Sequence, residues 1–156
     1  MSEVWCLVGT VLKGVSSVRW HELEHAYGSA AEVPGVLSRI AWGDARVGRE
    51  ALDDLSLWIG ELAVFDATVA AVPFLWELAA TEAVKCRAGV IRLLQTVLEH
   101  GNPPQPKVQL QAHRAVLSRR ATAAQLTHDR DPAVRAAARD LVAAIDSHLS
   151  EPCCHV

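Results

Sequence analysis

Aromatic residues are scarce in this 156-residue chain, with one Tyr and two Phe and an aromatic share of 5%. Pleated sheets draw on β-branched and aromatic side chains, so the shortage argues against a β-sandwich or barrel. Glycine is sparse for the length, and most of the seven prolines stand at segment edges. No run approaches the roughly 20 apolar residues that a membrane-spanning helix needs. Positive charge is not in excess either. The net charge of −3 leaves no global attraction for phosphate backbones or anionic membranes. The four cysteines, Cys6, Cys86, Cys153 and Cys154, do not space like a disulfide framework. Adjacent cysteines pair with each other only in a strained ring, so a reducing cytoplasm is the expected compartment.

What the chain does have is Ala, Leu and Val, which carry most of its 51% hydrophobic content. That composition suits close-packed helices, and 156 residues can bury one full core but hardly two. The expected fold is therefore all-α in one domain over residues 18–149. An N-terminal extension (1–17) precedes it and a tail (150–156) follows. The apolar run from Val4 to Leu12 lacks basic residues before it and a small-residue cleavage pattern after it, so it does not read as a signal peptide.

Punctuation divides the domain into helices. Trp20, Leu23 and Tyr27 mark a short first helix that Gly28 and Ser29 end. Ala30 to Trp42 follows, with Val33, Val36, Leu37, Ile40 and Ala41 inward. Gly43 stops it and Asp44 caps its successor, which runs to about Leu62 and buries Val47, Ala51, Leu52, Leu55, Trp58 and Ile59. Asp66 opens a fourth helix whose Pro73 lies deep enough to kink it. A fifth spans Glu82 to Glu99, a long turn follows at 101–106, and Lys107 to His128 pairs with Pro132 to Leu149. Grouped as 30–62, 66–99 and 107–149, these segments make three helical hairpins, near the minimum for a stable stack.

The segment Asp129 to Ile145, DRDPAVRAAARDLVAAI, carries a further signal. Asp131 suits an N-cap and Pro132 the first helical position, and Val134, Ala137, Ala138, Leu141, Val142 and Ile145 share a face. The segment resembles the second helix of a HEAT repeat of the phycobilisome-lyase type, in which Asp-Pro-x-Val-Arg opens a helix and the arginine, here Arg135, braces the inter-helix turn. Two other stretches are similar to a group of HEAT-repeat proteins of high-GC bacteria: Trp20, Leu23, His25, Ala26, Tyr27 and Gly28, and then Ala67 to Leu75. Where that group often has a His-Gln-Gly turn, this chain reads GELAVF, Gly60 to Phe65. The resemblance implies a short right-handed α-solenoid and brings no agreed activity with it.

HELEH, His21 to His25, matches the H-E-x-x-H pattern of zinc hydrolases. Two histidines four apart on a helix can share a zinc ion while Glu22 polarises a bound water. Glu24 puts a charge where such helices usually have an uncharged residue, and Gly28 ends the helix almost at once. Solvated His21, Glu22 and Glu24 beside a packed Trp20, Leu23 and Tyr27 is the better reading, and no metal or other cofactor is assigned. In the tail, Cys153, Cys154 and His155 are soft-metal donors with His148 as their companion, though a frayed end accounts for them as well.

Trp58 and Trp76 lie on helices of neighbouring repeats. On a common concave surface with Asp53, Asp54, Glu61, His25 and Tyr27 they would make an aromatic, acidic pocket for a cationic or aromatic ligand. Core filling between Ala-rich helices is the competing explanation. From Lys107 to Leu149 there are seven Lys or Arg against four Asp or Glu. Similarity to the HEAT-like alkylpurine DNA glycosylases would place Arg114, Arg119, Arg120, Arg130, Arg135 and Arg139 on DNA, but such an enzyme needs a strongly basic concave face and this chain is acidic overall. Three functions thus compete. The expected one is a non-catalytic module whose stacked helices offer a groove to a protein or peptide. Second comes a small-molecule enzyme or binder using the Trp-lined pocket, and a nucleic-acid or zinc-hydrolase role is least favoured.

Overall fold

Some helix starts in this chain are set where a side chain satisfies backbone groups that a helix end leaves open. The computed structural model describes residues 11–61, 64–99 and 106–150. Helix α1 (Val33–Trp42) continues a 3-10 turn, Ala30–Glu32, and α2 (Ala45–Ser56) runs on into a π turn, Leu57–Glu61. Then come α3 (Asp66–Ala80), α4 (Arg87–Glu99), α5 (Pro106–Leu117), α6 (Arg120–Leu126) and α7 (Pro132–Ser150). A two-stranded hairpin, β1 (Glu24–His25) and β2 (Gly28–Ser29), precedes them in antiparallel register. The chain is thus mostly helical, as expected. No described helix is long and apolar enough to cross a membrane.

Capping follows the sequence closely at two helices. Asp44 accepts the Val47 N–H at 2.8 Å to open α2, and Asp131 accepts the Ala133 N–H at 2.9 Å to open α7. At α3 the cap is different. Thr68 accepts the Phe65 N–H at 3.0 Å and donates its own proton to the Ile59 carbonyl at 2.7 Å, tying the start of α3 to the π turn. Helix α3 is buried on nearly all sides and runs through Pro73, whose ring faces outward. A helix apolar all round belongs at the centre. It touches α4, α5, the hairpin and the π turn, while α1 packs on α2, and α7 packs on α4 and α6. One continuous core results, reaching from Val11 to Ile145. Helices α2 and α4 meet closely at Gly89, where a methyl group would run into the Leu52 side chain.

Three boundaries and the burial of one residue differ from the sequence reading. No helix forms at Trp20–Tyr27, where a 3-10 turn (Trp20–Glu22) leads into the hairpin, and Tyr27 lies outside the packing. The fifth helix starts at Arg87 instead of Glu82, because the backbone first turns with the Val84 N–H on the Thr81 carbonyl at 3.1 Å; the Arg87 side chain then reaches back to donate to the Ala79 carbonyl at 3.0 Å. The sixth is split into α5 and α6 at Ser118–Arg119, with the Ser118 hydroxyl donating to the Ala115 carbonyl. Val47, expected inside, is exposed on the first turn of α2. The 101–105 turn, residues 1–10 and the Cys-Cys-His tail lie outside the described residues. Within the N-terminal extension, Val11 and Leu12 are buried, and the Leu12 N–H donates to Glu77 on α3 at 3.0 Å.

The turn between α6 and α7 is held by ions and carbonyls. Arg87 makes two hydrogen bonds to Asp129, at 2.8 and 3.2 Å, with the side chains 8% and 12% exposed. Arg135 donates to the Asp129 and Arg130 carbonyls at 2.8 and 3.0 Å. Arg135 therefore braces the turn ahead of its own helix, the role that the Asp-Pro-x-Val-Arg pattern implies.

Candidate functional site

The hairpin exists because a short segment finds its hydrogen bonds across the fold. Trp20 anchors its approach, buried with its indole N–H on the Val15 carbonyl at 2.8 Å and its ring 6.1 Å from that of Phe74. Gly28 turns the chain at a φ of 127°, a conformation that L side chains rarely adopt. The Glu24 N–H donates to Asp66 Oδ1 at 2.8 Å, and the Ala26 N–H donates to the Trp58 carbonyl in the π turn at 3.0 Å. π turns inside helices recur at functional positions.

His25 is the buried member of this group, 7% exposed. Its ring stacks on the indole of Trp58, with centroids 4.7 Å apart and planes 8° from parallel. Nδ1 accepts the Tyr27 N–H at 3.0 Å, which requires the neutral ring with its proton on Nε2. Burial pushes the His25 pKa below the ordinary histidine value, and the Glu32 carboxylate opposes that shift. Tyr27, one residue past the Ala26 anchor, is 64% exposed.

Of the residues in the expected pocket, the fold brings His25, Tyr27 and Trp58 together. Trp76 is 2% exposed and sits in the core, its indole N–H without a hydrogen-bond partner. It has no face to share with Trp58, so the two do not line one open pocket. Asp53, Asp54 and Glu61 are exposed on α2 and its π turn. Asp66, not anticipated, is the acidic residue bonded to the hairpin.

HELEH is taken apart by the same geometry. His21 points outward on the 3-10 turn with Nε2 3.8 Å from Glu22, whereas His25 points inward on a strand, so the helical face that would pair them is not formed. Among the described residues no three His, Cys, Asp or Glu gather closely enough to hold a metal ion. The arginines also divide. Arg120 is paired with Asp146 at 2.7 and 3.0 Å, Arg135 is spent on the turn, and Arg114, Arg119, Arg130 and Arg139 are exposed on α5, α7 and the segments around α6. On α5 and α7 the rings of His113 and His148 meet edge to face with centroids 5.1 Å apart, a contact with no signal in the spacing of the sequence.

No protein-family model, curated protein or solved structure matches the chain. The site therefore has to be judged on its own chemistry.

Proposed function

We propose that the protein is a non-catalytic helical interaction module, built as a short HEAT-like stack, that binds a protein or peptide partner through the face carrying Tyr27. One observation carries the proposal: a tyrosine 64% exposed on a hairpin whose backbone is tied to α2 and α3. Tyrosine supplies a large amphipathic contact with few rotamers to freeze, and a tied backbone lowers the ordering cost of binding. His25 suits this role better than proton transfer, because Nδ1 is committed to the Tyr27 N–H and one ring face to Trp58. The three hairpins 30–62, 66–99 and 107–149 are compatible with a stack in which each pair covers the next.

The test places a photo-crosslinking amino acid at Tyr27 in the source cell, identifies the captured protein and reconstitutes the pair from purified components. Tyr27→Ala is expected to weaken that complex at least about tenfold, the loss of one anchor of 1.4 kcal/mol or more, with the melting temperature unchanged. A reconstituted partner that binds Tyr27→Ala as tightly as the parent, or no discrete cross-linked species, sinks the proposal.

A further inference from the structure

The hairpin is held by a hydrogen bond that exists in only one protonation state of its own side chain. His25 Nδ1 accepts from the Tyr27 N–H, and the two residues flank Ala26, whose N–H reaches the Trp58 carbonyl. The same imidazole lies flat on the Trp58 ring. A proton placed on Nδ1 turns the acceptor into a donor facing a donor, in a ring already removed from water. We infer that residues 24–29 form an acid-released latch: protonation of His25 frees the Tyr27 and Ala26 amides and detaches the hairpin from the π turn of α2.

The surroundings decide the direction. Among the described residues, titratable groups on neighbouring elements include His21 and Glu22 on the 3-10 turn, Glu24 and Tyr27 on the hairpin, Glu32 ahead of α1, Glu61 at the end of the π turn, and Asp66 and Glu77 on α3. Of these, Glu32 acts on the ring and favours the cation, and the Trp58 face also attracts a cation. Burial acts against the cation and is the larger effect on the ring, and the clash with the Tyr27 N–H adds to it. The docked hairpin therefore resists the proton that the free hairpin accepts. Above the free histidine value of about 6.5 both forms are neutral and the latch is at full strength. As the pH falls below that value the free form gains a proton first, and the latch weakens until the docked ring titrates too. The latch is a property of the hairpin alone, whether or not Tyr27 meets a partner.

Nuclear magnetic resonance of the full chain tests it between pH 7.5 and pH 5, following the His25 ring resonances together with hydrogen-exchange protection factors for Ala26 and Tyr27. Protection at both amides is expected to fall about fivefold or more, the size of one lost hydrogen bond. The fall should begin at about pH 6.5, where the free ring takes its proton, and level off once the docked His25 ring titrates, with core amides such as Leu75 unaffected. His25→Gln, which keeps an acceptor and cannot titrate, is expected to abolish the pH dependence, while His21→Gln leaves it intact. His25 titrating at or above the ordinary histidine value, or Ala26 protection that ignores the titration in the parent chain, overturns the latch; the parent titration alone decides if His25→Gln does not fold.

Discussion

Two irregular segments of this molecule, the hairpin before α1 and the turn before α7, solve the same problem with different chemistry. Each must hold a non-helical stretch of chain against helices already packed. At Asp129 the means are charged: a guanidinium held in two hydrogen bonds, and a second arginine on the carbonyls. At His25 they are neutral: a stacked ring, one amide on an imidazole nitrogen and one on a π-turn carbonyl. Charged partners resist dilution by water when buried, and removing one leaves the other stranded. Neutral partners are weaker, and one of them, the His25 imidazole, can take up a proton in acid, below the ordinary histidine value. The C-terminal turn is thus a fixture, and the hairpin a part that can come away.

Arg87→Ala should have the largest effect. It leaves the Ala79 carbonyl without the Arg87 donor and Asp129 with the Asp131 N–H but no charged partner, and urea unfolding should report a loss of about 3–5 kcal/mol. A loss under about 1 kcal/mol would mean that the turn is held by packing alone. Trp58→Ala comes next, at about 1.5 kcal/mol, since a stacked and half-buried ring is removed without opening the centre of the core. Its signature should be local, with loss of amide protection at residues 24–29 while α4 and α7 keep theirs.

The third prediction separates the two regions by acidity. Hydrogen bonding to Arg87, reinforced by the Asp131 N–H, holds the Asp129 carboxyl below the ordinary carboxylate range, with burial opposing. A lowered folded value means that its stabilisation is complete above the unfolded value of about 3.9 and disappears as the pH falls through the folded one. Hairpin protection should therefore fade below pH 6.5 and the C-terminal turn only below pH 4. Coincident loss of both would remove the distinction. The smallest effect is expected at Arg120→Ala. Its pairing with Asp146 is exposed, and the melting temperature should stay where it is.

The same two regions show what can be read from sequence. Asp131, Pro132 and the apolar positions of α7 were legible because a cap, a first-turn proline and a 3.6-residue period all act within one element. The Arg135 brace was legible through the resemblance, since it too closes within six residues. Trp20, Leu23 and Tyr27 have helical spacing as well, yet eight residues are too few to sustain a helix by themselves. The backbone there is claimed by Trp58 and Asp66, 32 and 42 positions away. No local pattern encodes such partners. Trp58, His25 and Tyr27 were recognisable as a group worth attention, whereas for Trp76 the sequence left pocket lining and core filling both open, because spacing alone does not distinguish a helix buried on one side from α3, buried on nearly all, and its burial favours core filling.

Trp76 carries a consequence of its own. Its indole is 2% exposed and no protein group accepts its N–H, so in this apolar packing its excited-state dipole has little to reorganise and its emission should lie at the blue end for tryptophan. Trp58 emits against an imidazole that quenches more strongly once protonated. Trp42 shines from a half-exposed position at the end of α1. Among the described residues these three tryptophans, beside the buried and hydrogen-bonded Trp20, stand in distinct surroundings, and light alone can follow the centre and the edge of the fold separately.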